Sequence, residues 1–212
     1  MSVDVGARTN SCYELEMKNK PVYRVISRLF DILFSLMFLV VILPIILIVA
    51  VVIKLEDGGP VFYSQTRLGQ GGKTFTIYKI RSMRSDAEAA SVGWTKAADD
   101  RITKVGRFIR KTRIDEVPQL YNILIGHMKL IGPRPERPEL AEAFYVDLPE
   151  FVNRLAVKPG LTGLAQVNGG YDLTPAEKLV FDIEYINRRG FILDFVIICK
   201  TIGVVFSGEG AR

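Results

Sequence analysis

Residues 32–53 read ILFSLMFLVVILPIILIVAVVI, a run of 22 residues without a charge. The hydrocarbon core of a bilayer is ~30 Å thick, and a straight helix of this length would span ~33 Å. The run is longer than a signal-peptide core and has no small residues at a plausible cleavage point, so we expect it to be retained as an anchor. The sequence therefore predicts that this run lies in the membrane.

Basic residues flank this run on both sides, which by the positive-inside rule makes both ends cytoplasmic. Proline bends a helix, so Pro44 can return the chain to the leaflet it entered. We predict a re-entrant helix-break-helix, broken near Pro44. A kinked helix that spans the bilayer is the alternative, because transmembrane helices tolerate proline. The flanking residues are Lys18, Lys20, Arg24 and Arg28 before the run and Lys54, Arg67 and Lys73 after it.

The composition limits the class of protein. A chain of 212 residues has room for one domain with a real core plus something smaller. A net charge of +5 with positive mean hydropathy is typical of a protein at an anionic membrane, and nucleic acid is the rival polyanion. The cysteines are Cys12 and Cys199, without CxxC spacing, and the chain has one histidine. Neither a disulfide framework nor a zinc site is indicated.

A β-hairpin is predicted after the apolar run. Strand-like residues 61–64 and 73–80 flank the glycine-rich residues 69–72. A phosphate loop is disfavoured there because a strand, not a helix, follows the glycines. Alternation puts Lys79 and Arg81 on one face of the second strand. They are either ligand-binding residues or side chains that reach solvent at a strand end.

Three helices are predicted further along. Pro118 and Gly126 suit the start and end of a short one. Thr174, Pro175 and Glu177 supply an N-cap, a first-turn proline and a capping box for a helix over residues 175–188. Residues 191–206 are a second apolar stretch, expected in the core or at the membrane interface. The fold class is α+β, mostly helical, with interfacial helices.

The stretch Arg113-Ile114-Asp115-Glu116-Val117-Pro118 places two carboxylates after a basic segment. That charge should attract a polyanion and lower the pKa of a nearby carboxylate, which could then attack phosphorus. The alternative is plain compensation of a helix dipole at the start of the next helix. The basic residues are Lys104, Arg107, Arg110, Lys111 and Arg113.

Three further positions are candidates. Arg134 lies between Pro133 and Pro135, where a stiff backbone suits phosphate recognition or a plain linker. Asp182 lies at the edge of an apolar helical stripe and needs a partner, for a structural ion pair or for catalysis. Residues 158–160, Lys-Pro-Gly, predict a tight turn with Gly160 at positive φ.

Together these pieces form a pattern. The chain resembles bacterial sugar transferases, and more narrowly the small monotopic polyprenol-phosphate phosphoglycosyl transferases, from about Tyr23 to the C-terminus. The resemblance is carried by the apolar run with its central proline and by YKIRSM at 78–83, DEVPQL at 115–120, GPRP at 132–135 and KPGLTG at 158–163. The chain departs from the family at Leu43-Pro44, at His127 and at Asn168-Gly169-Gly170.

The resemblance implies transfer of a sugar 1-phosphate from a UDP-sugar to undecaprenyl phosphate, with release of UMP. This would be the first membrane step of bacterial capsule, exopolysaccharide, O-antigen or glycoprotein glycan assembly. Asp115 matches the aspartate that attacks the β-phosphorus and Glu116 its partner, with magnesium at Asp115 offsetting the diphosphate charge. The predicted substrate-binding residues are Lys79, Arg81, Arg110, Arg134 and Asp182.

The implied setting is the cytoplasmic face of the bacterial inner membrane. The predicted domains are a polar tail (1–22), a membrane anchor (23–57) and a cytoplasmic catalytic domain (58–212). Membrane lipid is an expected partner, nucleic acid is not, and homo-oligomerisation is left open. Two rivals stay open: the same reaction in one step through a ternary complex, and a membrane-tethered protein that binds anionic lipid or nucleic acid without turnover.

Overall fold

The structure is a computed structural model that describes residues 20–84 and 99–207. Most of the predicted polar tail and residues 85–98 lie outside the described residues. Short 3-10 helices cover Gln70–Gly72, Ile114–Glu116, Pro149–Ala156 and Gly170–Asp172. The other elements, in order, are α1 (Pro21–Asp57), β1 (Phe62–Leu68), β2 (Thr74–Ile80), α2 (Lys104–Lys111), α3 (Gln119–Leu124), β3 (Lys129–Ile131), α4 (Pro138–Asp147), β4 (Gly160–Thr162), α5 (Leu164–Val167), α6 (Pro175–Arg188) and α7 (Phe191–Ser207).

Helix α1 contains the whole apolar run. It begins at Pro21, continues through Pro44, and ends at Asp57. The next residue, Gly58, has a φ of 69°, and its N–H bonds to the carbonyl of Lys54. Within the described residues it is the one helix long and apolar enough to cross a membrane, with a mean hydropathy of 3.5 over an 18-residue window. The secondary structure shows no break at Pro44, so the re-entrant topology stays a prediction.

One face of α1 packs against the rest of the protein along its length. Near the C-terminal end, Ile46, Val49 and Ile53 form a core cluster with Ile80 of β2 and Ile109 of α2. Near the N-terminal end the contacts are polar. Asp31 accepts a hydrogen bond of 3.1 Å from the Leu130 N–H, and Lys129 donates to the Ser27 hydroxyl at 2.9 Å. The remaining faces expose apolar side chains, as a lipid-facing helix requires.

The predicted hairpin is confirmed. Strands β1 and β2 pair antiparallel from Phe62–Ile80 to Leu68–Thr74, and Gly71 at the tip has a φ of 66°. No helix follows these glycines to cradle a phosphate. The hairpin brings Lys79 toward the segment that carries Asp115 and Glu116, because β2 contacts both that segment and α3.

A second pairing was not predicted. Strand β3 pairs in parallel with β4, with Lys129 opposite Gly160. The expectation of a positive φ at Gly160 is wrong, since its φ lies outside that range. Glycine is needed there for a different reason: a Cβ would lie 2.0 Å from the Gly132 nitrogen.

The helix predictions hold in their main features. Helix α6 covers the predicted Pro175–Arg188 and has the complete capping box of Thr174 and Glu177. Helix α3 begins after Pro118, and Gly126 beyond its end has a φ of 88°. Helix α7 buries Ile197 but exposes most of its other apolar side chains, as an interfacial helix would. The described chain is mostly helical with small sheets, as the sequence predicted.

Candidate active site

The two adjacent carboxylates lie on a short 3-10 helix, Ile114–Glu116, between α2 and α3. Arg113, just before it, has a φ of 58° and is the one non-glycine residue at positive φ in the described ranges. The left-handed conformation costs an L-residue roughly 1–2 kcal/mol. Such strain concentrates at functional sites, where the surrounding structure holds it. This turn directs Asp115 and Glu116 toward β2 and the loop after β3.

Glu116 forms ion pairs with two cations. Its Oε1 atom lies 3.0 Å from the Lys79 ammonium, and the Arg134 guanidinium bonds the same oxygen and also Oε2 at 3.4 Å. Burial opposes ionisation of Glu116, but Arg134 and then Lys79 outweigh it and hold its pKa well below the usual range. Glu116 is therefore a fixed negative charge that positions two cationic side chains.

Asp115 differs from Glu116 both in its contacts and in the direction of its pKa shift. Its side chain is only 9 % exposed, and within the described part of the chain no hydrogen bond or ion pair holds its carboxylate. Burial raises the pKa of Asp115 to about 6, with the charge of Glu116 adding to the rise and Lys79 opposing it. The predicted lowering of the carboxylate pKa thus applies to Glu116, whereas for Asp115 it is wrong. A carboxylate with a pKa of about 6 that no hydrogen bond or ion pair holds is suited to act as a nucleophile.

The loop after β3 carries Arg134, which contacts Glu116 and also lines a cleft. Gly132, Pro133 and Pro135 surround Arg134 in irregular backbone, as predicted for a stiff loop. The cleft has a volume of about 510 Å³. Its charged lining residues are Arg113, Arg134, Arg154, Lys178 and Asp172. Three of these cations, Arg134, Arg154 and Lys178, already have carboxylate partners, so the cleft offers a diphosphate guanidinium and ammonium donors rather than a large excess of positive charge.

Asp182 belongs to a buried ionic cluster behind the cleft. It is 1 % exposed and accepts from Arg154 Nε at 2.9 Å and Nη2 at 2.7 Å. Glu136 lies 3.4 Å from Arg154 and 3.7 Å from Lys178. Burial raises the pKa of Asp182 although Arg154 opposes the rise. The sequence analysis missed Arg154, Glu136 and Lys178, because no local pattern marks their convergence.

The two other predicted substrate-binding residues occupy different environments. Arg81 forms an ion pair with Asp57 at the end of α1 and donates to the Pro60 carbonyl at 2.6 Å. This geometry fixes the hairpin to the anchor, so Arg81 is not brought to the carboxylate pair. Arg110 lies close enough to lower the pKa of Asp115 and is thus part of the site's electrostatic environment.

The fit of a divalent cation can be judged from these groups. The described residues contain no group of three or more side chains arranged to hold a metal. Magnesium often binds through one or two carboxylates together with substrate phosphates. Asp115 suits that mode because its oxygens are not held by a cation, unlike those of Glu116. The site therefore fits magnesium that is shared with a bound diphosphate.

Comparison with known proteins adds independent information. The family model described as bacterial sugar transferase matches residues 22–208. The chain is 42 % identical over 195 residues to the UDP-N-acetylgalactosamine-undecaprenyl-phosphate N-acetylgalactosaminephosphotransferase of Aeromonas hydrophila, covering 91 % of this chain and 46 % of that protein. The chain thus spans about half the length of this relative.

Two further relatives match this chain over a larger share of their own length. The UDP-glucose:undecaprenyl-phosphate glucose-1-phosphate transferase of Caulobacter vibrioides is 38 % identical over 167 residues, which covers 76 % of this chain and 62 % of that protein. An exopolysaccharide production protein of Rhizobium leguminosarum is 41 % identical over 187 residues, which covers 84 % of this chain and 94 % of that protein.

Proposed function

The chain belongs to the bacterial sugar transferase family, and from that premise we propose that it transfers a sugar 1-phosphate from a UDP-sugar to undecaprenyl phosphate, releasing UMP. The observation that carries this proposal is the division of roles between adjacent carboxylates. Glu116 binds Lys79 and Arg134, while Asp115 is buried beside it without a partner among the described residues. A protein that only binds anions has no use for such a carboxylate.

In the first step, a carboxylate oxygen of Asp115 attacks the β-phosphorus of the donor. The bond from that phosphorus to the bridging oxygen breaks, and the electron pair leaves with UMP. In the second step, a phosphate oxygen of undecaprenyl phosphate attacks the same phosphorus. The bond to Asp115 breaks, the carboxylate is regenerated, and the lipid carries the sugar diphosphate. Each step conserves charge and needs no proton to be supplied by the protein.

The cations around Asp115 and Glu116 would bind the phosphates of the substrates. Joining two anionic phosphates requires positive charge held in place before the reaction begins. Glu116 holds Lys79 and Arg134 beside Asp115, and the cleft is also lined by Arg154 and Lys178, which are themselves paired with Asp182 and Glu136. We assign phosphate contact to Lys79 and phosphate or nucleotide contact to Arg134. Asp182 is assigned to orienting Arg154 rather than to touching the substrate.

Magnesium is part of the proposal. Asp115 is the residue that would hold it, because its carboxylate is not paired with a cation among the described residues. When bound, the metal would offset the diphosphate charge and make the β-phosphorus more electrophilic.

The proposed location is the cytoplasmic face of the inner membrane. Helix α1 and helix α7 both expose apolar side chains, which supports immersion of these two helices in lipid. A re-entrant path of α1, with both ends cytoplasmic, agrees with its basic flanks. The site would then lie near the depth at which a polyprenyl phosphate presents its headgroup.

The test is the intact mass of the full chain in detergent after incubation with magnesium and a panel of UDP-sugars, without lipid. We expect one donor to add one sugar phosphate to the wild type and to the control Asp100→Asn, and to add nothing to Asp115→Asn. UMP release that requires undecaprenyl phosphate, without any adduct, would favour the ternary-complex reaction. No adduct and no UMP with any donor would contradict the proposal.

A further inference from the structure

A second cationic cavity lies at the N-terminal end of α1. It has a volume of about 700 Å³ and shares no lining residue with the cleft beside Asp115. Its described lining includes no Asp or Glu. The cations that line it come from α1, from β3, from the loop before β4 and from the end of α6. They are Arg24, Arg28, Lys129, Lys158 and Arg189.

Lys158 is the most informative of these residues. Its side chain is half-buried, and within the described ranges its ammonium has no hydrogen-bond acceptor or ion-pair partner. Burial, and next the charge of Arg28, lower the pKa of Lys158, and the charge of Asp31 opposes them only in part. A cation withdrawn from water without an acceptor is unfavourable, and a neighbouring cation adds to the cost. Within the described residues, no carboxylate forms an ion pair with Lys158, although Asp31 lies near enough to act on its charge.

Arg28 converges on the same place. A Cβ added to Gly126 would lie 3.4 Å from Arg28 Nη2 and 3.5 Å from Lys158 Nζ, so the two cationic groups flank one small space. Arg28 is held there by the carbonyls of Ile123, at 2.6 Å, and Leu124, at 2.8 Å. Carbonyl oxygens carry no net charge, so the charge of Arg28 is offset only in part, by the nearby Asp31. The nearby Asp31 is already shared with Lys129 at 4.0 Å.

The rest of the lining is apolar. Val25, Leu29 and Ile32 of α1 line the cavity together with Ile131 and Val157. Ile32 is also the first residue of the uncharged run of α1. The cavity thus combines a cationic end with an apolar wall at the point where α1 passes from charged to uncharged sequence. On the membrane placement of α1 proposed above, that point is headgroup depth.

We infer that this cavity binds one anionic glycerophospholipid of the host membrane, with its phosphate between Lys158 and Arg28 and its acyl chains along α1. Charge complementarity selects an acidic lipid over a zwitterionic one. The apolar wall selects a lipid over a free phosphate. A lipid bound there would contact α1, β3 and the loop before β4 together, and would stabilise the packing of the anchor on the soluble part.

The probe is dioleoyl phosphatidylglycerol, with dioleoyl phosphatidylcholine and glycerol 1-phosphate as comparisons. Native mass spectrometry of the full chain, released from detergent micelles, counts bound lipids. We expect the wild type to retain one phosphatidylglycerol and to prefer it to phosphatidylcholine by about fivefold or more. Lys158→Glu should lower this retention by more than fivefold, and Arg24→Gln by about fivefold.

Lys73→Glu is the matched control, because Lys73 is exposed at the hairpin tip and outside the cavity. It should retain phosphatidylglycerol as the wild type does. Arg24 is exposed, so its variant keeps the test informative even if Lys158→Glu does not fold. Equal retention by wild type, Lys158→Glu and Arg24→Gln would overturn the inference. So would equal retention of phosphatidylcholine, or displacement of the lipid by glycerol 1-phosphate at equal concentration.

Discussion

The Arg134 guanidinium bonds both carboxylate oxygens of Glu116, with Nη1 3.4 Å from Oε2. A two-point contact fixes the plane of the guanidinium as well as its position. Since Lys79 bonds the same carboxylate, Glu116 orients two cations that approach the site from different elements. Adjacent residues in the sequence therefore differ in their contacts: Glu116 is paired with two cations, whereas no hydrogen bond or ion pair holds the Asp115 carboxylate within the described residues.

The pH dependence of the first chemical step should report the pKa of Asp115. On the proposed mechanism only the ionised carboxylate attacks phosphorus, and burial raises the pKa of Asp115 to about 6. We expect the rate of adduct formation to fall about tenfold per pH unit well below that value and to be level above it. Single-turnover measurements by intact mass give this rate. A rate that stays level down to about pH 4.5 would contradict the raised pKa.

Replacing the neighbouring carboxylate should move that profile. Glu116→Gln removes a negative charge that raises the pKa of Asp115 and that offsets the charges of Lys79 and Arg134, which both lower this pKa. The acid limb should therefore move to lower pH, by about one unit or more, although the level rate falls because the cations lose their positions. Asp100→Asn is the control and should leave the limb in place. A shift to higher pH would exclude electrostatic coupling of this sign.

Asp115→Asn should stabilise the protein at neutral pH. A carboxyl whose pKa is raised from 3.8 to about 6 favours the protonated form in the folded state. The folded state thus loses stability as the pH rises from the lower to the higher value, and the cost persists above it. The neutral side chain avoids a cost of up to ~3 kcal/mol. Thermal unfolding should show a higher Tm for the variant at pH 7.5, with the difference vanishing near pH 4.

Much of the fold follows from local sequence signals. The hairpin was predictable because glycines at 69–72 separate two strand-like stretches, and α6 because its cap residues are adjacent in sequence. The pairing of β3 with β4 was not, since each strand has three residues and no alternation. The raised pKa of Asp115 was also missed, because the burial that causes it arises only from tertiary packing.

Substitutions at Arg113 should separate backbone strain from side-chain function. Both Arg113→Ala and Arg113→Gly remove a cation from the cleft, so both should lower activity by a similar factor. They differ in the backbone, because glycine adopts the φ of 58° without strain. Arg113→Gly should therefore be more stable than Arg113→Ala by ~1 kcal/mol. Thermal unfolding of the two variants side by side gives the difference, and equal Tm values would mean that the turn relaxes in both.

Replacing Arg154 alone should destabilise the protein far more than replacing Arg154 and Asp182 together. Arg154→Met leaves Asp182 and Glu136 buried without their main cation, and breaking such a pair typically costs 3–5 kcal/mol. Adding Asp182→Asn removes one of the two uncompensated charges, so the double variant should be more stable than Arg154→Met alone. The comparison requires Tm values for the wild type, both single variants and the double variant. If the two substitutions instead destabilise additively, Asp182 and Arg154 act independently and their contact at 2.7 Å does not contribute to stability.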